Sequence, residues 1–177
     1  DITQQVRTEA ALEDAREQAD ASIALLATLF RTAPVGLAFL DRDLRYVHIN
    51  DKLAELNGPS AREHVGRRIR DILPSVAPAL EPALRHIIET RIPLLDIEVS
   101  GETAARPGEG RSWLASYYPV EDDGGDVVGV GAVVREITEQ KRAEESLRRE
   151  HDFSEGVIRT AQCIVLVLDP RGRIVRF

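Results

Sequence analysis

An internal repeat without gaps constrains this chain more than any other feature. Arg31-Thr32-Ala33 returns as Arg159-Thr160-Ala161, and Leu40-Asp41 returns as Leu168-Asp169, both 128 residues later. Leu37, Phe39, Tyr46 and Val47 fall opposite the apolar Val165, Val167, Ile174 and Val175 at the same offset. A repeat of that length predicts one complete structural unit followed by the start of another. A second echo lies outside it: Asp1-Ile2-Thr3-Gln4-Gln5 returns as Glu136-Ile137-Thr138-Glu139-Gln140, 135 residues on. The two offsets differ by seven, so the connector after the first Ile-Thr is one heptad longer than the connector after the second. Seven residues is the step that preserves side-chain phase in a coiled coil.

Both connectors read as helices of that kind. In the first, Leu12, Ala15, Ala19, Ser22, Leu26 and Leu29 follow 3-4 spacing, with a competing register through Ile23 and Phe30. These residues, Leu12, Ala15, Ala19, Leu26 and Leu29 above all, are the expected seam of a parallel homodimer. In the second, Ala143, Leu147, Ser154 and Val157 are spaced similarly among Glu139, Arg142, Glu144, Glu145, Arg148 and Arg149. A solvated single helix is the alternative, because an Ala-rich seam buries little.

The segment between the connectors predicts an α+β domain. Val35 to Leu40 and Leu44 to Ile49 flank Asp41-Arg42-Asp43 as a hairpin. Asn50 supplies an N-cap for a short helix that Gly58 stops, and Ser60-Ala61-Arg62-Glu63 has capping-box spacing for another. Ile69, Ile72 and Leu73 bury one side before Pro74. Leu80, Leu84, Ile87 and Ile88 form the stripe of the longest helix of the domain, after Pro78 and Pro82. Three strands follow, Leu94 to Ser100, Ser112 to Val120 and Asp126 to Glu136. The last is apolar at both parities, so it is expected to be central with both faces covered. The whole predicts a five-stranded antiparallel sheet cupping helices on one face.

Composition limits the function classes. With 43% apolar and 30% charged residues, no apolar run approaches the roughly 18 residues of a membrane span. A formal charge of −7 argues against nucleic acid as a partner, since that affinity rests on clustered Lys and Arg. Cys163 is the single cysteine, which excludes an intrachain disulfide and Cys-based zinc or iron–sulfur sites and fits a reducing, cytoplasmic setting. The first residues lack a signal-peptide pattern and Arg173 to Phe177 stops mid-strand, so both ends look cut from a longer protein.

The order of elements, with Leu40-Asp41, Tyr46-Val47-His48-Ile49-Asn50, Leu56-Asn57-Gly58, Glu63-His64-Val65-Gly66-Arg67, Pro119-Val120, Val128-Gly129 and Glu136-Ile137-Thr138, resembles the PAS domain family. The resemblance covers residues 30–138 and restarts near 157. It implies a signalling helix over 1–29 that follows an upstream PAS end, a PAS domain over 30–138, a linker helix over 139–158, and a truncated second PAS domain over 159–177. It also implies a role: a sensory module that binds a small ligand, dimerises, and relays a signal through Glu136, Ile137 and Thr138 to an output domain elsewhere in a multi-PAS bacterial protein. Outputs of such arrays include histidine kinases, diguanylate cyclases and serine phosphatases, none of which is encoded here, so the chain is expected not to be an enzyme. A ligand-free relay whose pocket is filled core is the alternative.

Candidate chemistry is sparse. LOV-type flavin photochemistry requires a mid-domain cysteine, and residues 50–92 have none. A haem ligand is expected of the long helix, yet His86 lies about 120° off the Leu80 stripe by helical geometry, so haem is not expected. His48, His64 and His151 share no metal-ligand spacing and read as surface or capping residues. Gly124-Gly125-Asp126 resembles the start of a cyclase signature but lacks its Glu-Phe and reads as a turn. His151-Asp152 lacks the context of a phospho-acceptor, and Arg67, Arg68 and Arg70 read as a solvated face. The expected pocket lining is Ile72, Leu80, Leu84, Ile87, Ile97, Leu114, Ser116, Tyr118, Val130 and Ala132, with Ser116 and Tyr118 as polar anchors for a small apolar or carboxylate ligand.

Overall fold

A computed structural model describes residues 2–160, 167–168 and 174–176, with side chains over 12–153. The chain divides into two units, 1–136 and 137–177. The first contains α1 (Ile2–Thr32), β1 (Gly36–Asp41), β2 (Tyr46–Ile49), α2 (Asp51–Asn57), α3 (Ala61–His64), α4 (Ile69–Ile72), α5 (Ala77–Thr90), β3 (Leu94–Gly101), β4 (Arg111–Glu121) and β5 (Val127–Glu136). Its strands form one antiparallel sheet in the order β2-β1-β5-β4-β3. The second unit contains α6 (Thr138–Thr160) and the strands β6 (Val167–Leu168) and β7 (Ile174–Arg176), which pair antiparallel with Val167 opposite Arg176. Cys163 and the run from Ile164 to Leu166 lie outside the described residues.

Local chemistry sets the helix boundaries. Asn50 is extended and its Oδ1 accepts the Leu53 amide at 3.0 Å, which opens α2. Gly58 closes it at φ 117°, where a Cβ would sit 2.5 Å from the Ala105 nitrogen. The Glu63 carboxylate accepts from the Ser60 amide at 2.9 Å and its hydroxyl at 2.7 Å, the expected capping box of α3. The long helix α5 starts earlier than its apolar stripe suggests: Pro78 fits its first turn, and Pro82 is carried within the helix, on its exposed side.

β5 is central, as its two apolar parities predict, but its outer face is not sealed. Val130 is fully buried and Ala132 nearly so on the inner face, whereas Val133 is half-buried and Val128 is exposed. A bulge explains why Val127 rather than Val128 is buried. Val120 pairs with Gly129 and Glu121 with Val127, so Val128 is unpaired and inner and outer positions exchange there. Gly129 is fixed by contact, because a Cβ would lie 2.0 Å from the Leu40 carbonyl oxygen of β1. The core lies between the inner face and α2, α4 and α5, with Leu40, Leu44, Leu84, Ile87 and Val130 almost completely buried.

Asn50 does more than cap. Its Oδ1 also accepts the Leu37 amide of β1 at 2.8 Å, and its Nδ2 donates to the carbonyls of Phe30 at 3.0 Å and Val35 at 2.9 Å. Asn50→Ala removes the cap and strands those backbone groups, so a loss of about 3–5 kcal/mol is expected in urea unfolding. Asn50→Asp keeps the two acceptor bonds and should recover part of that loss. A cost below about 1 kcal/mol for the alanine variant would contradict this assignment.

Candidate functional site: a small cavity under the sheet

A cavity of about 50 Å³ lies between the inner sheet face and the helices. β1 contributes Ala38 and Leu40, β2 contributes Tyr46, and α2 contributes Leu53 and Asn57. Ile69, Leu73, Val76 and Leu80 close the helical side; Val99, Thr103, Trp113, Ala115, Tyr117, Ala132 and Val134 form the rest of the wall. The lining is mostly apolar with a few polar groups, the usual composition of a ligand site.

Of the expected lining residues, Leu80 and Ala132 reach this cavity. Ile72, Leu84, Ile87 and Val130 are buried in the same core but do not line it, and Ile97 and Leu114 are half-buried. The two expected anchors are on the wrong parity. Tyr118 is 43% exposed, and Ser116 is engaged with β3, its Oγ accepting the Asp96 amide at 2.9 Å. Tyr117 pairs with Ala132 and Ala115 with Val134, so the odd-numbered residues of β4 face inward. β4 is apolar at both parities, which is why alternation left the choice open.

The polar part of the wall was missed. Tyr46, Asn57, Thr103, Trp113 and Tyr117 are all buried. Burial pushes the Tyr46 and Tyr117 hydroxyls well above the usual phenol range, so both stay protonated. His64 is a further correction: it is neither a surface nor a capping residue but fully buried. Its Nδ1 lies 2.8 Å from the Ser60 carbonyl and its Nε2 3.0 Å from Asn57 Nδ2, with the Tyr46 ring edge-on at 5.0 Å between centroids. That arrangement requires a neutral ring with the proton on Nδ1, and burial holds its pKa below the ordinary 6.5. The sequence signal was only Asn57 and His64 seven residues apart, across a glycine stop.

Arg111 is a second residue that sequence reasoning passed over. Only 3% of its side chain is exposed, and every nitrogen of its guanidinium is engaged. Nε donates to Glu136 Oε1 at 2.9 Å and one terminal nitrogen donates to Glu136 Oε2. The other donates to the Leu56 carbonyl at 3.1 Å and the Thr103 hydroxyl at 3.2 Å, and the group sits 5.4 Å from the Trp113 ring centroid. Glu136, the first of the expected relay residues, therefore ends β5 half-buried, in an ion pair with the buried Arg111. Ile137 follows it, and Thr138 opens α6.

The remaining candidates are dispersed. His86 is on the exposed side of α5, His48 is exposed beside Phe39, and Arg70 pairs with Glu81. Gly124-Gly125-Asp126 is the β4–β5 turn, closed by Asp122 Oδ1. No group of three His, Cys, Asp or Glu able to hold a metal occurs among the described residues, and no described helix is long and apolar enough to cross a membrane. On α1, Leu12, Leu26 and Leu29 are 71%, 65% and 56% exposed, and Ala15 and Ala19 are exposed beside them.

The family described as the PAS fold matches residues 30–142. The alginate biosynthesis sensor protein KinB of Pseudomonas aeruginosa is 34% identical over 126 residues, covering 67% of this chain and 20% of that protein. The chain thus spans about a fifth of that sensor. The PAS domain of a Colwellia psychrerythraea protein superposes with a TM-score of 0.57 at 15% identity, over 66% of this chain and 98% of the other. The VqmA dimer of Vibrio cholerae gives 0.56 at 21% identity, over 66% of this chain and 52% of the other.

The buried, neutral His64 predicts an acid-sensitive fold. Above about pH 6.5 the ring is neutral folded or unfolded; below it, the unfolded chain takes up the proton more readily, so stability falls as pH drops toward the folded value. Glu63 and Glu81 are held below the ordinary 4.5 by Ser60 and by Arg70, so their stabilisation is lost only at lower pH. Urea midpoints between pH 7 and 5 should therefore fall more steeply for the native chain than for His64→Gln. Parallel curves would refute the assignment.

Proposed function

Because the chain belongs to the PAS-fold family, we propose that residues 30–138 form the sensory module of a larger bacterial signalling protein, taking a small ligand into the cavity beneath the sheet and relaying its presence through the flanking helices. The observation that carries this reading is that the cavity wall contains the residues tied to both chain exits. Leu53 is bonded through its amide to Asn50, which holds the end of α1. Thr103 is bonded to Arg111, which holds Glu136 at the end of β5. The relative named as a sensor protein supports the signalling role, which on this reading has a cytoplasmic, two-component setting and an output domain elsewhere in the full-length protein. Haem and LOV-type flavin are not proposed, since no histidine or cysteine lines the cavity.

Size favours a second reading. A cavity of about 50 Å³ is well short of the roughly 150 Å³ that holds benzene in an engineered core. A ligand-free relay therefore stays as the alternative, with occupancy as the discriminator. Native mass spectrometry of the purified chain with an absorption spectrum decides between them: a small mass adduct without a Soret or flavin band supports the sensor.

Dimerisation through α1 is the second part of the proposal, supported by the exposed apolar seam of Leu12, Leu26 and Leu29. Light scattering should report a homodimer that weakens when Leu12 and Leu26 are both changed to Asp, which would bury unpaired charge. In the full-length protein, deleting seven residues between Glu9 and Ala19 should leave output regulated. Deleting four turns the seam by about 400° and should lock output on or off. A monomer at tens of micromolar, or equal tolerance of both deletions, would refute the coiled-coil reading.

A further inference from the structure

We infer that the cavity selects an uncharged ligand of about four non-hydrogen atoms bearing a hydrogen-bond acceptor, held by Tyr117 and Trp113, and that it rejects carboxylates. The inference rests on the reading that the cavity takes a ligand, and it narrows the class. No Lys, Arg, His, Asp or Glu lines the wall. The cation nearest by contact is Arg111, whose charge is paired with Glu136 and four of whose five N–H donors go to Glu136, the Leu56 carbonyl and Thr103. An entering carboxylate would lose its hydration and meet no free positive charge.

The polar groups of the wall divide into satisfied and waiting. The Thr103 hydroxyl donates to the Leu56 carbonyl at 2.8 Å and accepts from Arg111. Asn57 Nδ2 is engaged with His64. By contrast, the Tyr117 hydroxyl and the Trp113 indole N–H make no hydrogen bond to another described residue. Both side chains are more than nine-tenths buried, at 4% and 5% exposure. Neither polar atom is sealed off, since Arg68 Nε is the buried side-chain atom without a partner among the described residues; both residues line the cavity, where an acceptor on a ligand can pair with them. The apolar remainder of the wall, with Leu53, Val76, Leu80 and Val99, suits short alkyl groups on that acceptor.

Trp113 is the only tryptophan in the chain, so its indole N–H resonance reports on the cavity without assignment ambiguity. The test titrates the purified chain with acetone, 2-propanol and acetate while following that resonance, and separately follows xenon uptake by its own NMR signal. Saturable shifts are expected with acetone and 2-propanol and none with acetate. Tyr117→Phe should weaken acetone binding about five-fold, the worth of one hydrogen bond, and leave xenon uptake unchanged. Acetate binding as tightly as acetone, or unchanged acetone affinity in Tyr117→Phe with xenon still entering, would overturn the ligand class while leaving a ligand-binding cavity intact. Failure of xenon and every probe to enter would overturn the ligand-binding reading and this inference together.

Discussion

Asn50 uses its full hydrogen-bonding capacity, and the arrangement of the first unit depends on that. Its two acceptor sites take the Leu37 and Leu53 amides, and its two donors go to the Phe30 and Val35 carbonyls. One side chain therefore ends α1, fixes the start of β1 and starts α2. No other residue type has two donors and two acceptors on so short a stem. Aspartate would present a charge to two carbonyl oxygens, and serine could not span the four groups.

Arg111 performs the corresponding task at the other exit. A buried guanidinium is tolerated only when its charge is paired and its nitrogens are engaged, and here Glu136, the Leu56 carbonyl and the Thr103 hydroxyl engage all three. Three distant parts of the chain meet at this residue: the end of α2, the loop after β3 and the end of β5. Because Thr103 and Trp113 also form the cavity wall and both touch Arg111, two contacts separate the cavity from Glu136. Leu53 gives the Asn50 side the same proximity. The cavity and both exits thus share residues, which is the physical basis for reading the module as a sensor.

Much of the fold was legible in the sequence because its signals are local. Asn50, Gly58 and the Ser60–Glu63 pair mark helix ends by their own chemistry, and the Asp122 to Asp126 stretch is a turn by composition. The apolar β5 declared itself central. What was not legible depended on contacts across the fold. The facing of β4 is decided by registry with β5, not by its own alternation, so Tyr118 was expected where Tyr117 stands. The bulge at Val128 reverses facing within a strand whose residues are almost all small and apolar. His64 and Arg111 look like surface residues in isolation, and become core residues only because Asn57, Ser60, Glu136 and Thr103 come from elsewhere to satisfy them.

If occupancy of the cavity is what the two exits report, filling it should tighten both at once. The direct measurement is amide hydrogen exchange at Leu37, Leu53 and Glu136 with and without xenon under pressure, since xenon needs no hydrogen bond and its own NMR signal confirms entry. Slower exchange at all three amides on xenon uptake is expected. Unchanged rates at all three with xenon demonstrably inside would contradict the coupling between cavity and exits.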